Sequence, residues 1–176
     1  MKRYHPALVS LHWLLTALIL VSLLMGSNIL SQIPNDNPEK LFALKMHMIS
    51  GAIILALMII RVIVRKTTQK PLPADAGNAV LNKAGITAHT LLYLLVFAML
   101  GSGIATAVIA GLPDIVFNNS GVALPEDFTN ILPRLFHGVI AKILFALIFL
   151  HVLGALYHQF VRKDSLLSRM WFGKKY

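Results

Sequence analysis

Histidine is the main reactive residue type in this chain of 176 residues, which contains seven histidines and no cysteine. Six of the histidines fall in long apolar stretches: His12, His47, His89, His137, His151 and His158. Imidazole binds metal ions and exchanges protons near neutral pH, and ionisable side chains inside apolar spans usually mark functional sites. The lack of cysteine excludes disulfides, thiolate iron–sulfur ligation and cysteine catalysis.

The spacing of two of these histidines places both on one face of a helix. His137 and His151 are 14 residues apart in the segment FHGVIAKILFALIFLHVLGALYHQF, residues 136–160. Fourteen residues of α-helix return a side chain to within about 40° of its first direction and advance it by about 21 Å. One helix therefore presents an imidazole at each of two levels, and neutral imidazole is a good axial ligand for haem iron.

Composition places these histidines in a lipid bilayer. Hydrophobic residues make up 57% of the chain and charged residues only 13%, against about 25% charged residues in soluble domains. A bilayer core is crossed by about 20 apolar helical residues, and four stretches have this length: 8–30, 41–64, 84–112 and 135–161. We predict an all-α integral membrane four-helix bundle that forms a single domain, residues 1–176.

The distribution of charge predicts the orientation of the bundle. Basic residues dominate one side: Lys2, Arg3, Arg61, Arg65, Lys66, Lys70, Lys83, Arg162, Lys163, Arg169, Lys174 and Lys175. Basic residues mark the cytoplasmic side of membrane proteins, so both termini are predicted to be cytoplasmic. The net charge of +9 follows from this topology, and no nucleic-acid partner is needed to explain it.

Because successive helices alternate in direction, sequence position converts to depth and sorts the histidines into two sets. The outer set is His47 and His137, and the inner set comprises His12, His89, His151 and His158. Two bis-histidine haems b, one at each level, satisfy this arrangement in a four-helix bundle. Glycines beside the candidate ligands, Gly51, Gly138 and Gly154, would let a flat macrocycle approach the backbone.

Zinc binding, proton relay and simple helix packing are further roles that intramembrane histidines can have. A zinc site usually has clustered ligands, and neither a His-x-x-x-His nor a Glu-x-x-His pattern occurs. A proton relay would normally include carboxylates inside the spans. A histidine that only hydrogen-bonds a neighbouring helix explains a single position, but not four at paired depths.

The motifs SLHW (10–13), KMHMISG (45–51), AHTLLYLL (88–95) and the segment from residue 136 through KDSLLSRM (163–170) resemble the bacterial cytochrome b561 family over nearly the whole chain. The resemblance implies four spans in the bacterial inner membrane, two haems b and electron exchange with ubiquinone. It implies that His12 and His151 ligate the inner haem and that His47 and His137 ligate the outer one. It also implies a quinone near His89 and His158.

Within that family the chain most resembles members that oxidise superoxide outside and reduce ubiquinone to ubiquinol. This implies outer-sphere electron transfer from superoxide through the outer and inner haems to the quinone, with His89 or His158 delivering protons. Lys45, Arg134 and Lys142 are predicted near the outer haem, where they would attract superoxide or pair with haem propionates. The alternatives are a membrane anchor that conducts electrons between quinone and a partner redox protein, and a haem-free transporter.

Overall fold

The computed structural model describes residues 3–118 and 120–172, and in these ranges every regular element is a helix. In chain order they are α1, Pro6–Met25, continued by a π-helical turn at Gly26–Leu30; α2, Glu39–Thr67; α3, Ala79–Ile109; α4, Leu112–Phe117; and α5, Leu132–Leu156, continued by a π-helical turn at Tyr157–Arg162. A 3-10 turn, Leu166–Met170, follows. The four long helices are each long and apolar enough to cross a membrane. The predicted all-α membrane bundle is confirmed.

The third span begins and ends earlier than the predicted stretch 84–112. Helix α3 begins at Ala79 because the side chain of Asn78 accepts a hydrogen bond from the backbone N–H of Val80, which caps the first turn. It ends at Ile109 because Gly111 adopts φ +64°, a left-handed conformation that glycine adopts without steric cost. The helical segment therefore includes polar residues that an apolar count leaves out.

The outward-facing surface of the bundle is apolar. Large side chains such as Phe42, Phe149 and Phe160 are each more than half exposed, and exposed leucine or isoleucine side chains occur on all four long helices. A water-soluble protein of this size would not expose a continuous apolar surface, whereas lipid tails solvate it. The chain is a multi-pass membrane protein.

The segments next to the two termini meet at one end of the bundle. The backbone N–H of Tyr4 donates to the carbonyl of Arg169 at 3.2 Å, and Nε1 of Trp13 donates to the carbonyl of Met170 at 2.7 Å. Which side of the membrane this end faces stays a prediction. Lys2, Lys174 and Lys175, which entered that prediction, lie outside the described residues.

All four long helices share a spacing of seven residues along one stripe. The positions are His12, Ile19 and Gly26; His47, Ile54 and Arg61; His89, Val96 and Gly103; and His137, Leu144 and His151. Seven residues fall about 20° short of two turns, so each set of three shares one face of its helix.

The middle residues of these stripes form an apolar layer. Ile54, Val96 and Leu144 are 4%, 6% and 1% exposed and belong to one buried cluster, against which Ile19 packs. Since Leu144 lies two turns from each histidine of α5, this layer separates two levels that carry imidazoles.

Candidate functional site

The outer level brings His47 of α2 against His137 of α5. Their ring centroids are 6.1 Å apart and the ring planes meet at 81°. A metal ion bound on opposite sides by two imidazoles, with metal–nitrogen bonds of about 2 Å, holds the ring centroids about 6 Å apart. The pair predicted from depth is therefore adjacent, at a separation that fits one iron between the rings.

Hydrogen bonding fixes the protonation of His137. Its Nδ1 lies 3.0 Å from the carbonyl oxygen of Met99 and 3.1 Å from Oγ of Ser102, and the Ser102 hydroxyl donates to the same carbonyl at 2.9 Å. A carbonyl only accepts, so Nδ1 carries the proton and donates it. Nε2 is then unprotonated and available to a metal, as in most histidine-ligated sites.

Two glycines support the outer imidazoles from behind. A Cβ atom at Gly26 would lie 3.5 Å from Cε1 of His47, and one at Gly103 would lie 3.1 Å from Cε1 of His137. The contact at Gly26 is an ordinary van der Waals distance, whereas a Cβ at Gly103 would require the ring of His137 to move by a few tenths of an ångström. Neither glycine was predicted from the sequence, although each lies 14 residues after a histidine on the same helix.

The glycines predicted to admit a macrocycle differ among themselves. At Gly51 and Gly154, within the described residues, no atom lies within 4 Å of the position a Cβ would take. Open space thus runs beside the backbone one turn from His47 and His151, which suits a flat group bound to those residues. Gly138 instead accommodates Arg134, whose Nη1 is 3.3 Å from the Cβ position.

The inner level brings three imidazoles together. The centroids of His12 on α1 and His151 on α5 are 6.5 Å apart, with ring planes at 77°, which again fits one iron between them. His89 on α3 lies 5.1 Å from His151, too close for both to bind opposite faces of a planar macrocycle. By this separation His12 and His151 would hold the iron of one haem, with His89 beside them.

An arginine and a tyrosine lie at the level of the inner imidazoles. Nε of Arg61 donates to the hydroxyl of Tyr93 at 2.8 Å, and its Nη1 donates to the carbonyl of Leu8 at 3.1 Å. Arg65 lies over the face of the same tyrosine ring, 5.2 Å from its centroid. The guanidinium group is always charged and pairs well with carboxylates such as haem propionates. Arg61 was counted only for orientation, although it lies 14 residues after His47, the spacing that relates His137 to His151.

His158 pairs with a carboxylate. It lies in the π-helical end of α5, and its Nδ1 is 2.6 Å from Oδ2 of Asp164. Burial alone would raise the pKa of Asp164, but hydrogen bonds from His158 and from the N–H of Leu166 outweigh burial and hold that pKa below its usual value. Asp164 was missed in the sequence because it lies outside the apolar stretches.

The three predicted outer cations have different surroundings in the structure. Nζ of Lys45 lies 5.6 Å from the ring centroid of Phe117 in α4. Arg134 is half-buried on α5, one turn before His137. Lys142 is exposed further along α5, and it makes no hydrogen bond or ion pair with another residue in the ranges that the structure describes.

The donor set as a whole fits haem better than a metal ion held by protein alone. Among the described residues, no three His, Cys, Asp or Glu side chains are grouped to hold a metal ion. Structural zinc takes four such ligands and catalytic zinc about three, whereas haem iron needs only axial ligands from the protein. The two facing pairs of imidazoles supply the two protein ligands that each haem iron would need.

Comparison with known proteins agrees with this chemistry. The sequence profile of the family described as prokaryotic cytochrome b561 matches residues 3–173. The chain is 27% identical over 172 residues to cytochrome b561 homolog 1 of Escherichia coli, covering 97% of each chain. It is 26% identical over 175 residues to a protein of Yersinia pestis named "Probable superoxide oxidase CybB", covering 96% of each. The chain belongs to the prokaryotic cytochrome b561 family of membrane electron-transfer proteins, and this membership implies that it binds haem b.

Proposed function

We propose that this protein oxidises superoxide at the end of the bundle that holds His47 and His137, and reduces ubiquinone to ubiquinol near the end that holds His12 and His151. Two superoxide anions each lose one electron and become dioxygen. One ubiquinone takes up those two electrons and two protons from the inner side. The membrane is the bacterial inner membrane, with both termini in the cytoplasm.

The observation that carries this proposal is the presence of two imidazole pairs at metal-bridging separations, 6.1 Å and 6.5 Å between centroids. Their α5 members are 14 residues apart, about 21 Å along the helix. Haem b, when bound by each pair, supplies one-electron redox chemistry. Superoxide as the donor is supported by the name of the Yersinia pestis relative.

The chain's own residues have distinct roles in the proposal. His47 and His137 hold the outer haem, and His12 and His151 hold the inner one. The buried layer around Leu144 keeps water out of the space between the two levels. Positive charge attracts the superoxide anion, and Lys45, Arg134 and Lys142 supply it on the outer half of α2 and α5.

Protons are required only at the quinone, on the inner half of the bundle. His89 lies there beside the axial pair, 5.1 Å from His151, and His158 lies in the last turns of α5. Imidazole can both donate and accept a proton, so either residue can hand a proton to the quinone and recover it from the cytoplasmic side.

Stopped-flow spectroscopy of the purified protein tests the donor. Oxidised protein is mixed with superoxide, and the haem absorbance is followed with and without ubiquinone. We expect rapid haem reduction that superoxide dismutase abolishes, and reoxidation when ubiquinone is present. Reduction no faster than that of an unrelated b-type cytochrome would contradict the proposal.

A membrane anchor for a partner redox protein is the second candidate, favoured by apolar exposure at the outer end. Phe117, Val122 and Leu132 are 43%, 62% and 61% exposed there, and Val122 belongs to the connection after α4 rather than to a span. This candidate predicts haems that superoxide leaves oxidised and that respond only when a partner from the same membrane is added.

A further inference from the structure

Asp164 is turned back onto the end of α5 by an unusual stretch of backbone. The residues on either side of it, Lys163 and Ser165, both have left-handed φ angles, 54° and 55°, which residues with a Cβ rarely adopt. The backbone N–H of Asp164 donates to the carbonyl of His158 at 3.3 Å. This conformation directs the carboxylate at the imidazole of His158, and strain of this kind is often retained where it serves function.

The carboxylate of Asp164 and the imidazole of His158 are hydrogen-bonded, and the carboxylate is the more exposed of the two. Oδ1 of Asp164 accepts the N–H of Leu166 at 3.1 Å, while Oδ2 lies 2.6 Å from Nδ1 of His158. The side chain of Asp164 is 28% exposed and that of His158 only 13%. With Nδ1 bound to the carboxylate, Nε2 is the ring nitrogen that remains for a substrate.

We infer that Asp164 is the positioning residue of a proton-transfer pair in which His158 donates a proton from Nε2 to the reduced quinone at the inner face. This inference rests on the proposed function. The quinone oxygen gains the proton, the N–H bond of His158 breaks, and the imidazole regains its proton from cytoplasmic water. Asp164 stays ionised throughout, orients the ring and stabilises its cationic form.

Other charged and titratable groups surround the pair. On the same helical end are Tyr157, whose ring centroid is 6.0 Å from that of His158, and Arg162. From neighbouring segments, Asp75 in the connection between α2 and α3 and Arg169 in the 3-10 turn act on the pair through their charges. Asp75 makes its own hydrogen bonds to Gly77 and Asn82, so it provides a matched control.

The test compares Asp164→Asn with Asp164→Glu and Asp75→Asn in the haem-loaded protein. Reoxidation of the pre-reduced haems by added ubiquinone is followed by stopped flow from pH 5 to pH 9. In parallel, modification of His158 by diethyl pyrocarbonate is quantified by peptide mass spectrometry over the same range. The second measurement reports the protonation of His158 and does not depend on electron transfer.

We expect Asp164→Asn to shift both pH profiles to lower pH by about one unit, because an amide no longer stabilises the imidazolium. Asp164→Glu should restore most of the shift, and Asp75→Asn should leave the profiles nearly unchanged. Unmoved profiles in Asp164→Asn, or an equal shift in Asp75→Asn, would overturn the pairing. A shift in the modification profile alone would overturn the role in quinone chemistry. Unmodified protein whose reduced haems ubiquinone fails to reoxidise at any pH would instead refute the proposed function itself.

Discussion

The two imidazole pairs have nearly equal separations, but they are held in different ways. At the outer level the ring of His137 is fixed by a hydrogen bond to the carbonyl of Met99. At the inner level neither the imidazole ring of His12 nor that of His151 makes a hydrogen bond to another residue of the described ranges. One ring of the outer pair, that of His137, is therefore oriented by the protein, while the orientation of the inner rings depends more on what they bind.

The helices that do not supply the imidazole pair also contribute different residues at the two levels. At the outer level, α1 and α3 contribute Gly26 and Gly103. At the inner level, α2 and α3 contribute Arg61 and His89 on equivalent stripes. On these stripes the outer level has glycines that pack against the imidazoles, and the inner level has ionisable side chains. This difference agrees with an outer level that exchanges only electrons and an inner level that must also manage protons.

Removing one axial histidine from each pair gives the largest expected effect. His137→Ala should lose the outer haem and keep the inner one, and His151→Ala should do the reverse, so each variant holds about half the haem of the unmodified protein. Pyridine haemochrome assays with iron counted per chain measure the content, and redox titration identifies the surviving component. His5→Ala, a histidine outside the spans, is the control. If either variant lost both haems, the two levels would not be independent.

Crowding the outer imidazole should separate steric support from ligation. The Cβ of any residue at position 103 would approach Cε1 of His137 to 3.1 Å, so Gly103→Val should displace the ring and weaken outer haem binding by about tenfold or more, as supporting residues of metal sites do. Gly101→Val on the same helix has nothing within 4 Å of its Cβ position and serves as the control. Equal haem retention in both variants would show that the outer level is not sterically defined.

Periodicity alone predicted the four spans, the outer pair of His47 and His137, and an inner set of four histidines. Apolar length sets the span count, and helical rise and rotation carry His137 and His151 to two levels of one face. Family resemblance selected His12 over His89 as the partner of His151. The distances between ring centroids favour the same choice, since His12 lies 6.5 Å and His89 lies 5.1 Å from His151.

Other parts of the site depend on the packing between helices. Ser102 and Met99 become relevant only when α3 places them beside the ring of His137. Lys45, Arg134 and Lys142 share a predicted depth, yet depth does not specify the direction around a helix: Arg134 is half-buried and Lys142 is exposed. Asp164 reaches His158 through two left-handed residues, a turn that no periodic pattern indicates.

Deleting the hydroxyl that neighbours the outer ligand should have a smaller effect. Ser102→Ala removes the contact at 3.1 Å to Nδ1 of His137 but leaves the stronger acceptor, the carbonyl of Met99. We expect the midpoint potential of the outer haem to shift by less than about 59 mV, the value for a tenfold change in a one-electron equilibrium, and the inner haem to stay constant. Ser50→Ala is the control, because Ser50 bonds the backbone carbonyl of His47 rather than its ring. A shift confined to the inner haem would contradict the assignment of Ser102 to the outer level.

The smallest expected effect is a pH-dependent loss of hydrogen-exchange protection in two segments outside the two levels. In each segment an aspartate, Asp127 or Asp164, accepts the backbone N–H of the residue two positions later. Asp127 accepts the N–H and the hydroxyl of Thr129, and Asp164 accepts the N–H of Leu166. For Asp127, hydrogen bonds from Thr129 lower the pKa. For Asp164, burial opposes the lowering but the hydrogen bond from His158 prevails. Because the folded pKa values lie below the ordinary 3.8, the stabilisation is complete above that pH and is lost as the pH falls through the lowered values.

Hydrogen exchange of the Thr129 and Leu166 amides, corrected for the intrinsic pH dependence, should therefore lose protection below about pH 4, while amides in the centres of the spans keep theirs. Asp164→Asn should reduce protection at Leu166 above about pH 4, where the carboxylate is ionised, and leave Thr129 unchanged. Protection at Leu166 that persists in this variant would mean that packing of the 3-10 turn, rather than the carboxylate, holds the inner segment. The comparison with Asp127 matters here, because the carboxylate of Asp164 binds an imidazole whereas that of Asp127 binds the hydroxyl of Thr129.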